Sequence, residues 1–91
     1  MPTADELRQW FAANVAAVRK RRGWTQATLA ERAGIDLITV QHLEGARKTA
    51  KITTLVALAR ALGVTTDALL RPRRLVKASR GRPKRSPPKA R

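Results

Sequence analysis

Cysteine is absent from the 91 residues, so neither a disulfide framework nor a thiolate metal site can form, and the fold must stand on packing alone. That lack fits a reducing compartment. A single histidine, His42, leaves no second imidazole for a metal pair and no neighbour suited to a triad. The six carboxylates are scattered, and no glycine loop has the spacing that cradles phosphate. The parts of an enzyme are missing, and no cofactor or metal is expected. No apolar run approaches membrane-spanning length, and the opening MPTADELRQW brings acidic residues where a signal peptide would carry its apolar core. The chain is therefore expected to stay in the cytoplasm, associated with the nucleoid. No stretch alternates as a half-buried strand would, which leaves helices.

What the chain has in excess is positive charge. Twenty Lys and Arg oppose six Asp and Glu, for a net +14, and residues 71–91 carry +10 of it without one acidic residue. A field concentrated in this way attracts polyanions, and the nearest abundant one is nucleic acid. A membrane surface fits less well. A basic amphipathic helix would set Leu or Trp opposite its charges, whereas the tail offers only Leu75 and Val76 before repeated prolines break any helix.

Composition shifts sharply after Leu70, so residues 1–70 are expected to be the folding unit and 71–91 a basic, proline-rich tail. A unit of that size buries only roughly 60% of its unfolded surface, which suits a compact helical bundle and leaves little room for an enclosed active site. Thr3 followed by Glu6 has the spacing of a capping box. Leu7, Phe11, Val15 and Val18 then recur every three or four residues, predicting a first helix from Ala4 to Arg21. Arg19, Lys20, Arg21 and Arg22 crowd its last turn, where cations complement the helix dipole or contact phosphate, and Gly23 stops it. Thr25 caps a second helix, Gln26 to Ala33, ended by Gly34, and Asp36 caps a third, roughly Leu37 to Gly45. After a basic loop, Ile52, Leu55, Leu58, Ala59 and Leu62 mark the inner face of a fourth helix closed by Gly63, and Thr65 caps a short fifth through Leu70.

The second and third helices, GWTQATLAERAGIDLITVQHLE, are joined by a tight glycine turn. Ala30 is small enough for the two to cross closely, Gly34 can take positive φ, and Val40 and Leu43 fall on the inner face of the third. That is the shape that lays a helix in a DNA major groove. From about Phe11 to Leu70 the chain resembles the phage repressor and Cro-type (XRE) helix-turn-helix family. The fold expected is all-α: a five-helix repressor-like helix-turn-helix bundle with a disordered basic C-terminal tail.

In such a motif the second helix leads into the groove with its N-terminal residues, so the outward positions Leu37, Ile38, Thr39, Gln41 and His42 are the candidates for reading bases. Leu37, Ile38 and the Thr39 methyl can pack on thymine methyls, and Thr39, Gln41 and His42 can hydrogen-bond base edges or phosphates. The plainer alternative is that Leu37 or Ile38 folds back on the core or covers a dimer partner. The resemblance puts base-reading positions at Leu37, Ile38, Thr39 and His42 and a phosphate-anchoring glutamine at Gln26. It also pairs Arg19 with Glu44 at the end of the recognition helix. Gly45, Arg47, Lys48 and Lys51 form a loop on the side the family turns to phosphate. Three departures fall in that loop: Gly45-Ala46 stands where the family's glycine comes one residue later, Ala50 replaces a common proline, and Lys51 replaces the usual serine cap.

In the tail, Arg80, Gly81, Arg82 and Pro83, followed by Lys84 and Arg85, look like an AT-hook. Glycine lets the backbone approach the minor-groove floor, proline keeps the path extended, and the arginines reach into the negative potential of a narrow A·T-rich groove. A generic basic tail that releases counterions is the alternative. The expected partner is double-stranded DNA, bound by a sequence-specific transcriptional regulator, with a homodimer possible, either free or only on DNA, and a membrane excluded. Two other readings stay open: an antitoxin or coactivator-like adaptor holding a protein partner, and an architectural DNA-compacting protein.

Overall fold

A computed structural model describes residues 1–73 of the chain, and these form five α-helices without a strand among them. Residues 74–91, including Arg80, Gly81, Arg82, Pro83, Lys84 and Arg85, lie outside the described residues, and so does most of the segment expected to be disordered.

α1 runs Ala4–Arg21 and begins with the complete capping box: the Glu6 N–H donates to Thr3 Oγ1 at 3.0 Å and the Thr3 N–H to Glu6 Oε1 at 2.9 Å. α2, Gln26–Ala33, is capped by Thr25, whose hydroxyl accepts from the Thr28 N–H. Gly34 then takes φ +71°, a left-handed conformation in which a side chain is strained, so the turn into α3, Leu37–Glu44, relies on glycine there. α4 spans Ile52–Leu62, and α5, Thr66–Leu70, starts from Thr65, which accepts from the Ala68 N–H at 3.1 Å. A threonine cap of this kind contributes roughly 1 kcal/mol.

Phe11 and Val15 from α1, Leu29 and Ala30 from α2, Val40 and Leu43 from α3, Leu58, Ala59 and Leu62 from α4, and Leu69 from α5 form one core. α2, with Ala30 buried, packs against α3 while α1 packs against α3 and α5, so every helix is fixed by at least two others.

Four local expectations are corrected. Leu7 and Ile52, placed on inner faces by their spacing, are exposed, Ile52 to 78%: Leu7 borders an open groove with Phe11, Leu55 and Leu70 that no side chain of the described residues fills, and Ile52 is the first residue of α4, next to exposed Lys51. Asp36 holds the N-cap position of α3, yet its carboxylate accepts no first-turn N–H, and α3 stops one residue short of Gly45. Of the cations in the last turn of α1, two leave that helix end: Arg19 turns inward to Glu44 and the Trp24 carbonyl, and Arg22 donates through Nε to the Leu62 carbonyl at 2.8 Å, capping α4. Lys20 and Arg21 stay exposed.

Candidate nucleic-acid interface

An eight-residue helix is marginal by itself in water, so α3 must be held by what lies behind it. Val40 and Leu43 do this with 1% and 2% of their surface exposed, each contributing roughly 1.5–3 kcal/mol through burial. Glu44 does the rest. Arg19 grips its carboxylate bidentately, Nε to Oε2 at 2.7 Å and Nη2 to Oε1 at 2.9 Å, and also donates from Nη1 to the Trp24 carbonyl at 2.8 Å. The two side chains are only 11% and 7% exposed. Gln26 adds a third donor, its Nε2 lying 3.1 Å from Glu44 Oε1. The end of α1, the start of α2 and the end of α3 are thereby tied at one carboxylate, and charge-assisted bonds of this geometry fix orientation as well as distance.

The other face of α3 is open. Ile38 is 63% exposed and Leu37 40%, Gln41 is exposed, and Thr39 and His42 are half-buried. Neither aliphatic side chain is withdrawn into the core, and the two adjoin at the front of the helix. Gln26 is half-buried at the first position of α2. Past Glu44, Gly45, Arg47, Lys48 and Lys51 are all exposed, and Lys51 occupies the N-cap of α4 without a side-chain cap bond. Every site residue expected in residues 1–73 therefore belongs to α3, to the start of α2, to the loop between α3 and α4, or to the pair that ties them.

Four features escaped the sequence reading. Gly45 has an ordinary φ of −83°, and the left-handed residue is Ala46 at +57°. The displaced glycine was the available signal, since the turn needs positive φ one residue after it. Trp24 has two guanidinium groups over its ring, Arg32 at 4.6 Å and Arg22 at 5.6 Å from the centroid. Asn14 is buried in the middle of α1, donating from Nδ2 to the carbonyls of Leu69 at 2.9 Å and Arg71 at 3.0 Å and accepting from Arg73. A polar residue beside Phe11 and Val15 was its only trace in the sequence. The fourth is the Gln26–Glu44 bond, because the resemblance gave that glutamine a phosphate and no partner within the fold.

A helix-turn-helix family model matches residues 15–69, the span that holds these two helices, pinned behind and open in front. The chain belongs to the helix-turn-helix family. A hypothetical transcription factor from Neisseria meningitidis serogroup B is 33% identical over 72 residues, covering 79% of this chain and 68% of the relative. An HTH-type transcriptional regulator from Sinorhizobium fredii is 33% identical over 67 residues, 74% of this chain and 87% of the relative. A crystal structure of a hypothetical transcription factor from Neisseria superposes with a TM-score of 0.72 at 33% identity, covering 79% of this chain and 83% of that one. The repressor-like, all-helical fold is thus established, in a family of DNA-binding regulators that are not enzymes. Among the described residues, no helix is long and apolar enough to cross a membrane.

Proposed function

We propose that this chain binds double-stranded DNA sequence-specifically and regulates transcription, with α3 entering the major groove N-terminal end first. The observation that carries the reading is the division within α3: Val40, Leu43 and Glu44 are used by the fold, while Leu37, Ile38 and Gln41 face outward. Leu37, Ile38 and the Thr39 methyl pack on thymine methyls, and Thr39, Gln41 and His42 supply hydrogen bonds to base edges. Gln26 spends one amide N–H on Glu44 and keeps the second for a phosphate oxygen. Gly45, Arg47, Lys48 and Lys51 hold the backbone on the other flank. The run from Arg80 to Arg85 extends the footprint into an A·T-rich minor groove. Two copies reading the half-sites of a palindrome, assembled on the DNA, is the arrangement expected.

Selection of duplexes from a random pool tests this, using the full chain and a chain lacking residues 74–91, which leaves the Asn14 bonds intact. Both should enrich one motif. The truncated chain should bind more weakly with a shallower salt dependence, because each phosphate neutralised contributes roughly −0.9 to the log–log slope. Preference for A·T-rich flanks should disappear in Arg82→Ala and survive in Lys89→Ala. Binding without any enriched motif would point to DNA compaction, and a stoichiometric protein complex without a motif to an adaptor or antitoxin.

A further inference from the structure

An apolar groove runs along α1 beside the interface, walled by Leu7 and Phe11 of α1, Leu55 of α4 and Leu70 of α5, with a volume of about 190 Å³. We propose that it seats this chain's own segment 74–77, with Leu75 and Val76 as its anchors. These two are the only large apolar side chains after Leu70, and they follow directly on a stretch already held to α1. Asn14 holds the Leu69 and Arg71 carbonyls and bonds Arg73, so the chain is delivered to the helix at the groove's own end.

Reach and direction agree. Asn14 continues the face that carries Leu7 and Phe11, at helical steps of three and four. Leu7 lies about 10 Å back along the axis at 1.5 Å per residue, and four residues beyond Arg71 extend roughly 13 Å. The charges agree too. Asp5 and Glu6, next in sequence to groove-lining Ala4 and Leu7, already bond Arg8, Gln9 and the Thr3 N–H, and they add a negative field toward which Arg74 and Lys77, the cations that bracket the anchors in sequence, would be drawn. Arg8 also lines the groove, and its Nε is the one buried side-chain nitrogen or oxygen without a hydrogen-bond partner among the described residues. A peptide laid along α1 brings the carbonyl acceptor it lacks.

The far wall of the groove includes Thr49 and Ala50, neighbours of Arg47, Lys48 and Lys51. A seated segment therefore launches the basic arm beside the phosphate-contacting loop rather than from a remote edge. That consequence rests on the DNA-binding reading above; the seat itself does not.

Because the chain has no cysteine, the test can use introduced ones in the full chain, free of DNA. Ala4→Cys with Lys77→Cys retains both anchors, and mild oxidation should close a disulfide within one chain. Adding Leu75→Asp and Val76→Asp should slow closure at least tenfold while circular dichroism keeps the helical spectrum. The same two substitutions without the cysteines should lower the Tm to that of a chain ending at Arg73, a drop of about 4 °C or more. A disulfide formed between chains would give the groove to a second copy and overturn the proposal. So would a closure rate indifferent to the aspartates. Neither result depends on whether DNA is bound, so failure here leaves the DNA reading standing.

Discussion

The two ends of α3 are built in opposite ways. Its C-terminal end is crowded with bonds: Glu44 accepts from Arg19 twice and from Gln26 once, with Leu43 buried beside it. Its N-terminal end has an N-cap aspartate whose carboxylate makes no capping bond and two aliphatic side chains in solvent. A helix that must present groups to an external surface cannot also use them to hold itself; here stabilising contacts collect at one end, and the proposed reading puts recognition at the other. Changes at the tied end should therefore cost stability, and changes at the open end should cost discrimination.

Arg19→Met should give the largest effect, a loss of about 3–5 kcal/mol in urea unfolding, since it leaves the Glu44 carboxylate buried without its partner. Pairing it with Glu44→Leu should recover much of that loss, because replacing both charges removes the unpaired one. A single-variant loss under about 1 kcal/mol would mean an ordinary surface pair and dissolve the contrast. Next, Leu43→Ala should cost about 2–5 kcal/mol by opening a cavity behind the helix.

The caps and stripes explain how much of this was legible. Thr3, Thr25, Thr65, Gly34 and Gly63 each settle a boundary by a bond or a φ that few residue types can supply, so all five helices could be read from the chain. The Arg19 and Glu44 pairing came from resemblance, since nothing local links residues 25 apart. Periodicity failed at Leu7 and Ile52 because it reports which way a side chain points and not whether another element fills the space it points into. Asn14 was hidden for a related reason: its partners lie more than fifty residues away. At Ala46 the conformation is imposed by the turn, against the preference of the residue.

Ala46 makes a smaller prediction that sharpens the comparison. Relieving its positive φ with Ala46→Gly should raise stability by about 0.5–1 kcal/mol, the left-handed penalty on alanine less the extra flexibility of glycine. No gain in thermal or urea unfolding would show that the loop after Glu44 carries no such strain. The smallest stability effect belongs to the open end: Ile38→Ser should change unfolding free energy by no more than about 0.5 kcal/mol. A loss as large as that of Leu43→Ala would make Ile38 part of the fold.

The account turns on whether the exposed front of α3 touches bases, and a change of specificity tests that most directly. Duplexes selected by the parent chain and by Ile38→Asn should differ at one base pair of each half-site, with the thymine preference there giving way to adenine, the base whose edge an amide pairs best. Identical motifs from the two proteins, at equal affinity, would contradict the assignment of this face to the major groove.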